Sequence, residues 1–413
     1  MDATVRFDHQ LLAVESEHAV HCMLELDIPA VAGTERAPLR LALVIDRSGS
    51  MAGRSLDVAK ECAEFLARHL QPTDELALVT YDDTVDLVLP LAPAHPGAAQ
   101  SAIAQIHSGG STNLSGGWLK GLEELGRADD GVRRVLLLTD GLANVGITNT
   151  PQLVAIASGT KTQASTTTIG FGDGFDEDLL AAIADASGGA TYFAETPDDA
   201  PGIFAEEFAG LTTLVAQNLS VEIRPGADVQ LLGVLNDYPS VAVPGGVQLQ
   251  VGDLFGGERR RFVFNLQIPD LAKLGPARVA EVVVRYVKVG DQVAAHETTV
   301  PVIVNLVSAD EAAAAALDQE VLEEVVFLHA ARARKEAARE ADEGHYDRAR
   351  ALLGEAAEEI RRIAPRSKRS FELMDEVAML ESHAGAMSEQ SYEPTARKMM
   401  MSESWRRNRG RKT

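Results

Sequence analysis

The chain has 413 residues, 46% of which are apolar, and its formal net charge is −23. This length exceeds what one hydrophobic core normally serves, so we expect two or three domains. So acidic a body is not expected to bind nucleic acid or an anionic membrane surface, and the sequence contains no run of about 18 apolar residues that would predict a membrane span.

The N-terminal segment and the cysteines indicate the compartment. The segment MDATVRFDHQ has neither the basic nor the apolar stretch of a secretory signal. The two cysteines, Cys22 and Cys62, lie in separate segments and form no paired motif. Both thiols are therefore expected in the core of a cytoplasmic protein.

Residues 1–37 contain two strand-like runs, TVRFDHQLLAV and AVHCMLELDIP. Residues 38–214 alternate strand and helix patterns, which predicts an α/β domain with a doubly wound, mostly parallel sheet of six strands. Its first strand, LRLALVID, is apolar throughout and is typical of a strand buried on both faces. The next two strands, ELALVTY and TVDLVLPL, are joined by only two residues, so the second is predicted to be an antiparallel edge strand.

Helices are expected between most of these strands. RSLDVAKECAEFLARHL carries apolar residues at helical spacing, and further helices are predicted at about 96–107, 113–127, 150–160 and 175–186. The remaining strands are RRVLLLTD, STTTIGF and ATYFAE. An acidic cluster at the start of the last helix is attributed to N-capping; it comprises Asp173, Asp176, Glu177 and Asp178.

Residues 215–308 change character to short alternating strands separated by Gly, Pro and Asn, which predicts an antiparallel β-sandwich. Since the α/β sheet already has its strands, the N-terminal pair is predicted to complete the sandwich, and the α/β domain is then an insertion. Residues 309–391 predict a helical hairpin that turns at Gly344. It resembles one tetratricopeptide unit, but a single unit makes no solenoid, so we expect a helical pair packed on a neighbour.

Residues 392–413 form a strongly basic tail, which we predict to be flexible. Two alternatives stay open. The tail could dock on an acidic face of the same protein or of a partner, which the run of three methionines and Trp405 favours. It could also contact nucleic acid, which the acidic body disfavours.

Oxygen-bearing side chains follow two strands of the α/β domain. Asp46, Ser48 and Ser50 alternate directly after the first strand, Asp140 ends the fourth, and Thr112 lies in the loop SGGSTNLSGG between them. In the commonest winding these two strands are neighbours where the strand order reverses, so their loops are expected to meet. Such a set suits a hard divalent cation, Mg²⁺ first, with Mn²⁺ or Ca²⁺ as alternatives.

The hydroxyl groups explain why the site is not built from carboxylates alone. Neutral oxygens bind an ion without cancelling its charge, so the ion stays electrophilic. It can then accept an Asp or Glu from a partner protein. The alternative is that Asp46 merely caps the helix that follows.

The sequence DRSGSM, together with Thr112 and TDG, resembles the metal-ion-dependent adhesion site of von Willebrand factor A domains, over roughly residues 38–214. The resemblance implies that Ser48, Ser50 and Thr112 bind the metal directly, and that Asp46 and Asp140 bind it directly or through water. The whole chain is similar to bacterial cytoplasmic proteins that pair such a domain with a β-sandwich, and to the architecture of inter-alpha-trypsin inhibitor heavy chains.

Other chemistries match the sequence less well. The segment GGSTNLSGGW has the glycines of a phosphate-binding loop but not its lysine, and SGSMAG does not fit a nucleophile elbow. We therefore expect an interaction protein and not an enzyme. Two alternatives stay open: an adaptor subunit for an AAA+ ATPase or metal chelatase, and a hydrolase that uses the metal to activate water.

Overall fold

The computed structural model describes residues 1–30, 36–128, 131–289 and 294–409. None of the helices in these ranges combines the length and the apolar composition that a transmembrane helix requires. Three strands precede the α/β domain: β1 (Asp2–Phe7), β2 (Leu12–Ala13) and β3 (His18–Asp27).

The α/β domain follows as an alternation of strands and helices. Its elements are β4 (Leu39–Asp46), α1 (Arg54–His69), β5 (Glu75–Tyr81), β6 (Val85–Pro93), α2 (Pro96–Ile103), α3 (Leu114–Leu125), β7 (Val132–Thr139), α4 (Thr150–Thr160), β8 (Ser165–Phe171), α5 (Glu177–Ser187), β9 (Thr191–Ala194) and α6 (Ala200–Thr212). The strand order is β6-β5-β4-β7-β8-β9, with β6 antiparallel and the other strands parallel. This confirms the predicted doubly wound sheet and its antiparallel edge strand.

Strands β4 and β7 lie side by side at the centre of this sheet. Both are mostly apolar towards their carboxyl ends because helices cover both faces: α1, α2 and α6 pack on one face, and α3, α4 and α5 on the other. The strand order reverses between β4 and β7. Their carboxyl ends therefore open into the crevice where such folds bind ligands.

Two helices of this domain differ from the sequence prediction. Helix α2 ends at Ile103 and not near residue 107. Helix α6 was not predicted, because Pro201, Gly202 and Gly210 weaken its helical pattern. The proline lies in the first turn, where its missing N–H costs nothing, so it is compatible with the helix.

The strands after α6 form the β-sandwich. They are β10 (Leu214–Pro225), β11 (Gln230–Val234), β12 (Ser240–Val243), β13 (Gly246–Phe255), β14 (Arg259–Ile268), β15 (Gly275–Lys288) and β16 (Ala294–Val307). One sheet has the order β1-β3-β14-β11 and the other β12-β13-β10-β15-β16-β2. The N-terminal strands thus complete the sandwich, and the α/β domain is inserted into it as predicted. The buried Arg134 of β7 pairs with Asp253 of β13 and links the two domains.

Five helices complete the described chain: α7 (Ala309–Ala314), α8 (Gln319–Asp342), α9 (Tyr346–Ile363), α10 (Ser370–Ala386) and α11 (Pro394–Asn408). Helices α8 and α9 form a hairpin whose turn contains Gly344 at φ +82°, a conformation that glycine adopts readily. Helices α8 to α11 share an apolar core that includes Phe327, Leu353, Leu373 and Met400. The helical region is therefore larger than the predicted hairpin.

The prediction of a flexible basic tail is wrong for residues 394–408, which form helix α11. This helix packs on α8 and reaches the α/β domain. The physical reason is charge and apolar complementarity over long sequence distances. Met400 is fully buried, and Trp405 donates through Nε1 to Asp185 Oδ1 at 3.0 Å. The intramolecular docking alternative describes this segment; residues 410–413 lie outside the described residues.

Candidate metal centre

The five oxygen-bearing side chains come from three loops at the carboxyl ends of β4 and β7. Asp46 is the last residue of β4, and Ser48 and Ser50 follow it in a short turn before α1. Thr112 lies just before α3, and Asp140 follows β7. Asp46, Ser48 and Thr112 are buried, whereas Asp140 is half-buried and Ser50 is exposed. The group therefore has a buried floor and an open rim.

Three of the oxygen atoms surround a single point beside Gly141. An ideal Cβ built on this glycine would lie 3.1 Å from Thr112 Oγ1, 3.5 Å from Ser50 Oγ and 3.8 Å from Asp46 Oδ2. Oxygen atoms from the end of β4 and the turn after it, and from the loop before α3, thus converge on a volume that a single methyl group on Gly141, in the loop after β7, would enter. Glycine keeps this volume free of protein atoms.

Hydrogen bonds connect the remaining members to the same group. Ser50 Oγ donates to Asp140 Oδ1 at 2.7 Å. The hydroxyl oxygens of Ser48 and Ser50 lie 3.2 Å apart. The structure therefore brings all five residues together, at the crevice where the strand order reverses.

Two further residues orient the group, and sequence reasoning missed both. Thr139 Oγ1 donates to Asp46 Oδ2 at 2.6 Å. The backbone N–H of Thr112 donates to Asn144 Oδ1 at 2.9 Å, and the N–H of Asn144 donates back to Thr112 O at 3.1 Å. A polar residue directly after the apolar run of β7, Val135–Leu138, was a usable signal for Thr139. Nothing in the local sequence around Asn144 indicated its role.

Glycines let the loops approach one another closely. Gly109 N–H donates to Arg47 O at 2.7 Å, and Gly49 N–H donates to Gly110 O at 3.0 Å. A Cβ on Gly109 would lie 2.2 Å from Asp82 Oδ2, so any side chain at this position would force the Asp82 carboxylate to move. The serine loop and the threonine loop are therefore held together by backbone contacts.

The electrostatics of the two carboxylates favour a cation. Burial raises the pKa of Asp46 to about 6, although hydrogen bonds from Thr139 and Ser48 oppose the shift. Burial also raises the pKa of Asp140, against the hydrogen bond from Ser50. Both shifts mean that the ionised carboxylates lack compensating positive charge. An all-oxygen donor set with two such carboxylates fits a hard divalent cation.

Comparison with known proteins identifies the α/β domain. Residues 41–206 match the family model of the von Willebrand factor type A domain. The α/β domain of this chain is a von Willebrand factor A domain, as the resemblance of its motif implied. Domains of this family mediate protein–protein interactions, commonly through a metal-ion-dependent adhesion site.

Two related proteins are similar in sequence to parts of this chain. An uncharacterised protein of Synechocystis sp. is 30% identical over 263 residues, which is 61% of this chain and 62% of that protein. The bovine (Bos taurus) inter-alpha-trypsin inhibitor heavy chain H1 is 29% identical over 152 residues, which is 34% of this chain and 17% of that protein. The chain therefore spans less than two thirds of the length of either relative.

One solved structure resembles almost the whole chain. A von Willebrand factor type A protein from Catenulispora acidiphila superposes with a TM-score of 0.74 at 18% identity. The match covers 97% of this chain and 95% of that one. The two proteins therefore share a fold along nearly their full lengths, beyond the von Willebrand factor A domain alone.

Proposed function

We propose that this protein captures a partner protein through a divalent cation. The cation, Mg²⁺ in the first place, is held by Asp46, Ser48, Ser50, Thr112 and Asp140, and an Asp or Glu of the partner completes its coordination. The convergence of three loop oxygens on the point beside Gly141 is the observation that carries the proposal.

The distribution of burial supports an external ligand. Asp46 and Ser48 lie at the buried floor, whereas Ser50 is exposed to solvent on the rim. A ligand from another protein therefore has access from the side of Ser50. A carboxylate is the expected ligand because a hard cation prefers oxygen donors and an anion balances its charge.

The protein's own side chains prepare the site for the ion. Thr139 holds the orientation of the Asp46 carboxylate, and Asn144 holds the backbone of Thr112. The hydroxyl proton of Ser50 points to Asp140, so the lone pairs of Ser50 are available for the ion. When bound, the ion supplies the positive charge that attracts the partner's carboxylate.

We propose binding without catalysis. The hydrogen bonds of the five side chains run to one another, to Thr139 and to a backbone amide. A hydrolase would in addition need a general base placed on the metal-bound water. An AAA+ ATPase is one class of partner that the same site would serve, and dependence of capture on ATP distinguishes it.

We place the protein in the cytoplasm. Cys22 and Cys62 are both buried free thiols, which supports a reducing compartment.

The experiment compares the wild type with Asp46→Ala and with Asp83→Asn. Asp83 is an exposed carboxylate beside Gly110 on the same face, so its variant removes a charge without removing a proposed ligand. Titration calorimetry with MgCl₂ and MnCl₂ should show binding by the wild type and by Asp83→Asn, and loss of binding by Asp46→Ala. Circular dichroism checks that each variant is folded.

The second stage is capture from a native lysate of the source organism, in Mg²⁺ and in EDTA. We expect the wild type to retain a protein in Mg²⁺ that is lost in EDTA and is not retained by Asp46→Ala. Substitution of the acidic residues of that protein should then abolish capture. Capture that persists in EDTA and with Asp46→Ala would overturn the proposal.

A further inference from the structure

The loop between β8 and α5 touches the metal site through its backbone. An ideal Cβ on Gly174 would lie 2.3 Å from the backbone oxygen of Asp140. No side chain fits in this space, so the loop and the site residue pack backbone against backbone. The position of Asp140 therefore depends on the position of this loop.

The C-terminal helix α11 holds the same loop. Lys398 Nζ donates to the backbone oxygen of Phe175 at 2.5 Å and lies 4.0 Å from the centre of the Phe175 ring. Thr395 Oγ1 donates to Asp173 Oδ1 at 2.6 Å. Two residues of α11 thus bind the loop at the residues directly before and after Gly174.

Lys398 is unusual because its ammonium is buried. The residue is only 3% exposed, and its second acceptor is Glu177 Oε2 at 2.5 Å. Lysine is rarely buried to this extent unless it is paired. The neighbouring Arg397 adds ion pairs to Glu177 and Asp178.

The acidic cluster at the start of α5 therefore has a role beyond N-capping. Asp176 caps the helix, accepting from Leu179 N–H at 2.9 Å, as the sequence predicted. The other three members, Asp173, Glu177 and Asp178, contact α11. The prediction that N-capping explains the whole cluster is thus wrong, because three of its four residues bind the basic helix α11.

We propose that Lys398 is a positioning residue for the metal site and that docking of α11 on the β8–α5 loop raises the affinity of that site for its divalent cation. The path runs from Lys398 through Phe175 and Gly174 to the backbone of Asp140. The inference rests on the proposed function, since it concerns the same site. Coupling is reciprocal, so the bound cation in turn strengthens the docking of α11.

The first test is the variant Lys398→Met, which keeps an apolar stem and removes the ammonium. We expect its dissociation constant for Mg²⁺ to rise about tenfold, within the usual range of coupling between sites. The control is Ser404→Ala on the same helix. The hydroxyl of Ser404 donates instead to Ala331 O of α8 at 2.7 Å, so this variant should bind Mg²⁺ like the wild type. Thermal melting in EDTA shows that each variant is folded at the titration temperature.

The second test needs no change at α11. Amide hydrogen exchange of residues 394–408 should slow when Mg²⁺ is added to the wild type, and the effect should be absent in Asp46→Ala. This measurement stands even if Lys398→Met fails to fold. A merely structural Lys398 would leave the exchange of α11 insensitive to Mg²⁺.

The outcomes separate the two proposals. If the wild type binds neither Mg²⁺ nor Mn²⁺, the proposed function fails and the inference fails with it. If the wild type binds metal but Lys398→Met binds it equally well, only the inference is overturned. Exchange of residues 394–408 that is unaffected by Mg²⁺ in a metal-binding wild type also overturns it.

Discussion

Thr139 Oγ1 donates a 2.6 Å hydrogen bond to Asp46 Oδ2 across a sequence separation of 93 residues. Both residues are fully buried and end neighbouring parallel strands. This contact fixes one carboxylate oxygen of the proposed metal site in a region that excludes water. Removing the donor should therefore disturb both the site and the stability of the fold.

Thr139→Val tests this relationship. We expect the affinity for Mg²⁺ to fall about 10–100-fold, as for other groups that orient a metal ligand. We also expect the free energy of unfolding to fall by about 1–3 kcal/mol, because a buried acceptor loses its partner. Titration calorimetry and urea denaturation measure the two effects.

Thr80→Val is the matched control for Thr139→Val. Thr80 lies on the adjacent strand β5, is fully buried, and its hydroxyl has no hydrogen-bond partner within the described part of the chain. Its variant should change neither the Mg²⁺ affinity nor the stability to a comparable extent. Equal losses of Mg²⁺ affinity and of stability in the two variants would show that the Thr139 hydrogen bond is not the cause of either loss.

Gly141→Ala should close the point on which the loop oxygens converge. The new methyl group would lie 3.1 Å from Thr112 Oγ1, so a proposed ligand must shift. We expect Mg²⁺ affinity to fall about 10–100-fold, a loss like that of disturbed ligand orientation, with the fold retained. The control is Gly97→Ala, where an added Cβ meets nothing within 4 Å. Undiminished affinity in Gly141→Ala would place the ion elsewhere.

Two glycines in helices should respond to alanine with opposite signs. A Cβ on Gly121 of α3 would lie 2.6 Å from Val44 Cγ2, so Gly121→Ala overpacks the helix against β4. We expect a loss of about 1–3 kcal/mol in the free energy of unfolding. A Cβ on Gly354, inside α9, would meet nothing within 4 Å. Because alanine has the higher helix propensity, Gly354→Ala should raise the free energy of unfolding by about 1 kcal/mol. Urea denaturation of both variants checks the prediction, and a shared sign would contradict it.

The docking of α11 should weaken in acid through Glu177. Burial raises the pKa of this carboxyl. The hydrogen bond from Lys398 and the positive charges of Lys398 and Arg397 lower the pKa by more than burial raises it, so the pKa lies below its ordinary value. A carboxylate with a lowered pKa contributes fully above the unfolded-state pKa of about 4.3. Its contribution disappears as the pH falls through the lower pKa of the folded state. Other charged groups in contact with the two cations are Asp178 and Asp342.

The effect is measured as a difference between the wild type and Glu177→Gln, so that the other titrating groups cancel. The chain has two tryptophans, and Trp118→Phe leaves Trp405 of α11 as the only tryptophan, which can be excited selectively at the red edge of the absorption band. The difference in Trp405 emission under mild denaturation should be constant above a pH of about 4.3 and should vanish in stronger acid. A difference that persists unchanged in strong acid would contradict the assignment.

Local patterns were sufficient to predict most elements of the fold. The continuous apolar strands, the helical spacing in α1 and the short link before β6 each follow from contacts between near neighbours in sequence. The convergence of Asp46, Ser48, Ser50, Thr112 and Asp140 could be expected because one winding of six strands is common. Their role as metal ligands is a proposal that the experiments above address.

The packing of distant segments decided the rest. Thr139 and Asn144 orient the site through partners that lie far away in sequence, and Lys398 reaches Phe175 across 223 residues. Such contacts produce no periodic pattern in the sequence, because each depends on how distant segments of the chain pack against one another. Composition therefore predicted a solvated tail, whereas an acidic loop and an apolar core elsewhere in the chain stabilise residues 394–408 as a docked helix with one buried face.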